Sequence, residues 1–268
     1  MLIHGWPDDA TTWNPIAPQL NEAGFKTIAA MHRGFGSTRF LNSKTPRTGN
    51  VGILALDAIE LADRLGLDNF FVAGHDWGSN VAEMLAVGWP KRVTRIAMLS
   101  TPSRLGGLKM PPFDIARRYW YHWFQATDRG AKAVAADPKG FARIMWDTWS
   151  PPGWFDDATF DGVARSFSNP DWVKVTLHSY RSRWGETPCD RRSMKVEAKL
   201  KATRAISTPT IFIQGAQDGV TPPRMTENMG SMFVGRFKRM VLQNVGHFPT
   251  REAPAVVSRQ LIQHFTQF

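Results

Sequence analysis

An aspartate stands at the centre of Gly74-His75-Asp76-Trp77-Gly78. That Gly-x-nucleophile-x-Gly frame marks a sharp turn in which serine is the usual attacking residue. Exchanging serine for aspartate changes the chemistry. A carboxylate with a reference pKa of about 3.9 is ionised at neutral pH and needs no base to become nucleophilic. Attack on an ester carbonyl would give a reactive anhydride. Attack on a saturated carbon bearing a leaving group gives an ordinary ester that water can later hydrolyse. Asp76 therefore points to displacement at an sp³ carbon, by opening of an epoxide or loss of a halide.

Hydrolysing such an ester requires a base. Asp218 ends Gly215-Ala216-Gln217-Asp218 after a strand-like run over 208–214, and His247 lies in Gly246-His247-Phe248 after another run ending near Leu242. Each alone reads as a loop residue. Together with the turn they give the chain order nucleophile, acid, histidine, with Asp218 orienting His247. His4, His32, His75, His122, His178 and His264 compete for the same role, but none follows a strand in that order. No pair has zinc-like spacing and no Cys/His cluster exists, so neither a metal nor another cofactor is expected.

Strand-like and helix-like segments alternate around these residues. Met1–His4, 26–30, 69–73, 93–99, 208–214 and 237–242 read as strands. Segments 12–23, 51–65, 79–87, 222–233 and 252–265 read as helices. This rhythm predicts an α/β fold with a mainly parallel sheet covered on both faces. It stops between 103 and 203, where seven of the 11 tryptophans (120, 123, 146, 149, 154, 172, 184) and all 3 tyrosines (119, 121, 180) fall. We read 1–102 and 204–268 as one core and 103–203 as an inserted helical lid. The first strand-like segment corresponds to the third strand of such a core. The two strands expected before it, an antiparallel edge, are missing, so either the start is shortened or Met1–His4 is an exposed strand.

Composition narrows the class. The 268 residues are 43% hydrophobic, enough for one large globular core. No run of about 18 apolar residues predicts a membrane span, and no basic-then-apolar leader is visible at the N-terminus. The single cysteine, Cys189, excludes an internal disulfide and fits a reducing, cytoplasmic setting. The net charge of +10 is scattered, and its densest group (Arg191, Arg192, Lys195, Lys199, Lys201, Arg204) is interleaved with Glu197 and apolar residues. A solvated face, with no nucleic-acid or membrane partner, is the reading. A monomer or homodimer is expected.

The pieces His4-Gly5-Trp6-Pro7, Arg33-Gly34-Phe35-Gly36-Ser37, the Asp76 turn and the Asp218 and His247 loops resemble the α/β-hydrolase fold family. Within it they are similar to the aspartate-nucleophile branch of epoxide hydrolases, haloalkane dehalogenases and haloacetate dehalogenases. The resemblance implies an Asp76 alkyl ester, water activation by His247, and an oxyanion hole from the backbone N–H groups of Trp6 and Trp77. It implies a structural role for the Arg33 loop, and it covers the core more fully than the lid.

The leaving group depends on the lid. Epoxide opening releases an alkoxide and needs a proton donor, whereas halide release needs only N–H donors. Tyr180, in Leu177-His178-Ser179-Tyr180-Arg181, resembles a ring-opening tyrosine of epoxide hydrolases. Tyr121 is the choice for a second donor, with Tyr119 as alternate. Trp77, His122 and Trp123 are expected at the pocket, and His122-Trp123 also resembles the halide pocket of haloacetate dehalogenases. Those enzymes carry arginines just after the nucleophile, where this chain has Trp77 and Asn80. The expected activity is hydrolysis of a small apolar epoxide by water. The alternatives are dehalogenation with the same triad and, more remotely, a ligand-binding protein that retains a hydrolase pocket.

Overall fold

The computed structural model describes residues 1–266. Six parallel strands, β1 (Leu2–Ile3), β2 (Ala29–Ala30), β3 (Phe70–His75), β4 (Val93–Leu99), β5 (Thr210–Gly215) and β6 (Phe237–Leu242), form one sheet in the order β2-β1-β3-β4-β5-β6. Because side chains alternate across a strand, two cores result. Leu2, Ala73, Ala97 and Ile211 face α1 (Ala17–Glu22) and α12 (Pro254–Thr266). Ile3, Val72, Ile96 and Phe212 face the larger cluster, which includes α2 (Val51–Arg64) and α3 (Trp77–Gly88). Register pairs Ala73 with both Leu2 and Ala97, and Leu99 with Ile213. The carboxyl ends of β1, β3, β4, β5 and β6 therefore lie at one edge, where loops of an open parallel sheet converge.

Met1–His4 is not an exposed strand. β1 pairs with β2 on one side and β3 on the other, and Leu2, Ile3 and His4 are buried. The exposed edge on that side is β2, whose two alanines are solvent-facing. β2 is also shorter than the run 26–30, of which only Ala29–Ala30 pairs with β1. Prolines 15 and 18 break the expected helix 12–23 into a 3₁₀ turn at Ala10–Trp13 and α1. The span 222–233 forms two 3₁₀ turns, Pro223–Thr226 and Met229–Met232, instead of one helix.

Between β4 and β5 lie α4 (Phe113–Ala116), α5 (Trp120–Ala126), α6 (Asp128–Ala136), α7 (Pro138–Trp149), α8 (Asp157–Ala164), α9 (Trp172–Trp184) and α10 (Met194–Ala202). The last of these packs on α2 and α3 through buried Val196 and Leu200. It therefore lies against two helices of the core.

The turn after β3 is sterically tight. Asp76 adopts φ 51°, ψ −111°, a left-handed backbone that costs about 1–3 kcal/mol for a side chain. A Cβ on Gly78 would sit 2.1 Å from the Ile3 carbonyl oxygen, so β1 can lie against this turn only where the side chain is hydrogen. Gly78→Ala is expected to lower the thermal midpoint by roughly 5 °C or more, since backbone rather than a flexible side chain must move. A melting curve coincident with wild type would refute that.

Candidate active site

Asp76 caps α3 and is 6% exposed. Its Oδ1 accepts the Trp6 backbone N–H at 2.8 Å, and its Oδ2 accepts the Thr101 hydroxyl at 3.2 Å. Trp77 N–H opens α3, where helix N–H groups have no intrahelical acceptor. The Trp6 loop is fixed from behind. Asp8 pairs in bidentate fashion with Arg251 (2.8 and 2.6 Å), and Trp146 Nε1–H donates to the Pro7 carbonyl at 2.8 Å. Gly5 lets this loop close in, because a Cβ there would meet Asp76 Cβ at 2.4 Å.

His247 is fully buried, with Nδ1 2.9 Å from Asp218 Oδ2 and Nε2 3.7 Å from Asp76 Oδ2. The second spacing is beyond hydrogen-bond range, and Nε2 has no other protein partner. Asp218 Oδ1 accepts the Val220 and Thr221 N–H groups, which holds its second oxygen on the histidine. Burial alone would strip the His247 proton, but Asp218 and Asp76 outweigh it and push its pKa up to about 10. Burial likewise opposes the Asp76 charge, yet His247 and the Trp6 N–H hold its carboxyl below the usual range. The pair rests as carboxylate and imidazolium.

Three residues with no motif around them support His247. Glu252 accepts Gly246 N–H (2.7 Å), Phe248 N–H (2.9 Å) and the Ser150 hydroxyl (2.7 Å), while Ser150 Oγ accepts His247 N–H at 2.8 Å. His75 Nε2 and Ser100 Oγ both lie on the His247 carbonyl, at 2.7 and 2.8 Å. Ser100, Ser150 and Glu252 are isolated polar residues in sequence, and only the fold brings them together.

The other histidines are accounted for. His4 Nε2 accepts His32 N–H, and His32 Nε2 contacts the His4 carbonyl, so both are structural. His178 contacts Gly49 N–H and the Pro188 carbonyl. His264 is buried in α12. Arg33 pairs with Asp57 while Phe35 packs edge-on against Trp77, which makes that loop a buttress.

Tyr180, Tyr121, Trp6, Trp77, Trp149 and Trp172 build an aromatic wall around Asp76, with Trp6 in ring contact with the other five. Tyr180 is 1% exposed, and its Oη accepts Trp77 Nε1–H at 3.3 Å. Among the described residues no acceptor takes the phenol hydrogen. Burial and then the Asp76 charge raise its pKa well above the usual value, so the phenol stays protonated. Tyr121 is buried against Trp6 and Trp149, and burial raises it in the same way. Tyr119 instead directs its hydroxyl at Met225 Sδ, 3.9 Å away.

His122 has a defined tautomer. Trp184 Nε1–H donates to His122 Nδ1 at 3.0 Å, which leaves the proton on Nε2. That Nε2–H is buried without a protein acceptor, the ring lies 4.7 Å from Tyr180, and burial holds the imidazole neutral. Trp123 lies beside His122. Its indole N–H binds the Ala116 carbonyl at 2.9 Å, and its ring contacts His122 and Trp184 rather than Trp6, Trp77 or Tyr180. No group of three or more His, Cys, Asp or Glu among the described residues could hold a metal. Among them, no helix is long and apolar enough to cross a membrane.

A family model described as alpha/beta hydrolase fold matches residues 1–254. A Klebsiella pneumoniae crystal structure, provisionally described as an epoxide hydrolase, is 33% identical with a TM-score of 0.91, over 98% of this chain and 88% of that one. Epoxide hydrolase A of Mycobacterium tuberculosis is 25% identical over 99% of this chain and 89% of its own length. A fluoroacetate dehalogenase of Burkholderia sp is 27% identical over 68% of this chain and 61% of its own. The chain spans 50% of the length of its bifunctional epoxide hydrolase 2 relatives from pig, mouse and rat.

Proposed function

The chain belongs to the α/β-hydrolase fold family and is an enzyme of the hydrolase class, and on that premise we propose that it hydrolyses apolar epoxides to vicinal diols through an ester on Asp76. The observation that carries the reading is the Tyr180 phenol. It is buried and protonated, and its oxygen is occupied by Trp77, so its hydrogen is free to go to a leaving oxygen.

In the first step an Asp76 carboxylate oxygen forms a bond to an epoxide carbon while the C–O bond breaks. The alkoxide takes its proton from Tyr180. In the second step His247 Nε2 takes a proton from water, whose oxygen attacks the ester carbonyl. Trp6 N–H, already 2.8 Å from Oδ1, stabilises the oxyanion together with Trp77 N–H. Collapse of that intermediate expels the alkoxide, which takes back the proton held by His247 and leaves as the diol. The second water proton, left on the Asp76 carboxyl, returns to the Tyr180 phenolate and restores both residues. The aromatic wall favours an apolar substrate.

Two groups compete as second donor. Tyr121 supplies a protonated phenol, whereas His122 supplies an unpartnered Nε2–H whose tautomer Trp184 sets. We favour His122, because neutral imidazole fixed in that tautomer can only donate from Nε2. Dehalogenation is the second reading, and the fluoroacetate dehalogenase relative keeps it in view. The indole N–H groups of Trp77 and Trp123 are engaged, with Tyr180 and Ala116, whereas those of Trp6 and Trp172 are buried without an acceptor and remain open to a halide. A binding protein with a relict pocket would have no use for His247 held 2.9 Å from Asp218.

Styrene oxide and bromo- and fluoro-substituted substrates should be incubated in parallel, with diol and free halide measured. Diol is expected from the epoxide. Halide release with no diol from any epoxide would overturn the proposal. Tyr180→Phe is expected to slow ring opening by about 10²–10⁴-fold. His122→Gln should slow it more than Tyr121→Phe does, and the reverse order would return the second role to Tyr121.

A further inference from the structure

A second polar site lies behind Tyr180, on the side of α9 that faces α2 and α10. It is a cavity of about 20 Å³ whose lining includes Arg104, Arg183, Glu197, Ser179 and Ser182. None of these belongs to the Asp76–His247–Asp218 set. Both arginines are half-buried, neither makes an ion pair within 4.0 Å among the described residues, and three of their N–H groups are buried with no acceptor: Arg104 Nε, Arg183 Nε and Arg183 Nη2. Arg183 has only the Tyr180 ring, 5.2 Å from its guanidinium carbon. Arg104 sends its backbone N–H, not its side chain, to Glu83.

Burying a guanidinium is costly unless it is paired and hydrogen-bonded. Of the lining residues, Glu197 supplies one negative charge, and its Oε1 is already taken by Asn50 Nδ2 and Gly52 N–H, both at 2.8 Å. Nearby Glu83 does not line the cavity, and burial pushes its carboxyl up to about 7, so it neutralises Arg104 only in part. Two cations against one full anion and a partly ionised Glu83 leave a net positive charge. A water molecule could accept the orphaned N–H bonds but would leave that charge uncompensated. A small anion does both, since charge-assisted hydrogen bonds are the stronger kind.

Volume sets which anion. A single water needs on the order of 10–15 Å³, so about 20 Å³ suits one compact occupant better than sulfate, phosphate or a carboxylate-bearing metabolite. We propose that the cavity between Arg104 and Arg183 is a binding site for one monovalent, chloride-sized anion. The site is structural: it ties the loop after β4 to the end of α9, the helix that carries Tyr180.

The test compares thermal midpoints in sodium chloride and sodium gluconate at equal ionic strength. Gluconate is too large to enter, so screening is matched and occupancy is not. Wild type is expected to show a saturable rise of roughly 3–5 °C at about tenfold over the chloride Kd. Arg183→Gln should abolish the difference, while Arg129→Gln, an exposed arginine on α6, should retain it. If Arg183→Gln fails to fold, Ser182→Val fills the cavity without removing either cation and should abolish it too. A bromide-soaked crystal should show an anomalous peak between the two guanidinium groups. Equal wild-type midpoints in both salts, or a chloride effect that survives both Arg183→Gln and Ser182→Val, would overturn the proposal.

Discussion

A His247→Gln variant treated with an epoxide substrate is expected to gain the mass of one substrate molecule, carried on Asp76, and then stop. Diol formation should fall by about 10³-fold or more. Alkylation needs the Asp76 carboxylate and a lid donor, and without the imidazole the Trp6 N–H and the Thr101 hydroxyl still support that carboxylate. Hydrolysis of the ester has no other base. Asp218 faces Nδ1 and is spent on Val220 and Thr221 N–H, while Thr101 offers only a hydroxyl. Intact-protein mass spectrometry followed by peptide mapping reads the outcome. Substrate consumption with no adduct, or diol production at the wild-type rate, would sink the two-step scheme.

The same geometry makes His247 a base only when it is needed. In the free enzyme two carboxylates hold its proton up to about pH 10, so at neutral pH it is an imidazolium beside Asp76. Esterification removes the Asp76 charge, leaving Asp218 alone against burial. The pKa must then drop, and the proton leaves. The rate of ester hydrolysis in single-turnover experiments is therefore expected to rise with pH through a value below about 10, while alkylation stays flat across neutral pH. An alkylation step that required deprotonated His247 would contradict this.

Much of this site was legible in the chain because its pieces are local. The Asp76 turn is a five-residue pattern, Asp218 and His247 each follow a readable strand, and β4 lies where its apolar run predicted. Legibility failed where packing decides. Tyr121 and His122 are neighbours in an aromatic-rich helix, so no spacing distinguishes them, and the bond that orients the His122 ring comes from Trp184 on α9. Trp123 read as a pocket residue, but Ala116 holds its N–H. The helix α10 carries the polar pattern of a solvated face, and its packing on α2 and α3 depends on buried Val196 and Leu200. Glu252 and Ser150 hold the His247 loop through backbone N–H groups, a use that leaves no mark on residue spacing.

Asp76→Asn is expected to remove turnover almost entirely, by roughly 10⁴-fold or more, with no substrate adduct in the mass spectrum. A carboxamide is too weak a nucleophile to open the ring, yet it is nearly the same size and tolerates the left-handed backbone at φ 51°. The fold should survive, and its pH response separates loss of charge from loss of structure. His247 has a folded pKa of about 10 against 6.5 as its ordinary value. Its proton therefore adds stability that is fully present below about pH 6.5 and is lost as pH rises through about 10. Replacing Asp76 removes one of the two charges behind that shift, so the folded pKa moves back toward 6.5 and less stability remains to be lost. Thermal midpoints of wild type should fall further than those of the variant between about pH 6.5 and about pH 10. Parallel curves would mean that Asp76 does not hold the His247 proton, and the resting ion pair would have to be abandoned. An adduct formed by the Asp76→Asn variant at the wild-type rate would instead dispose of Asp76 as the nucleophile.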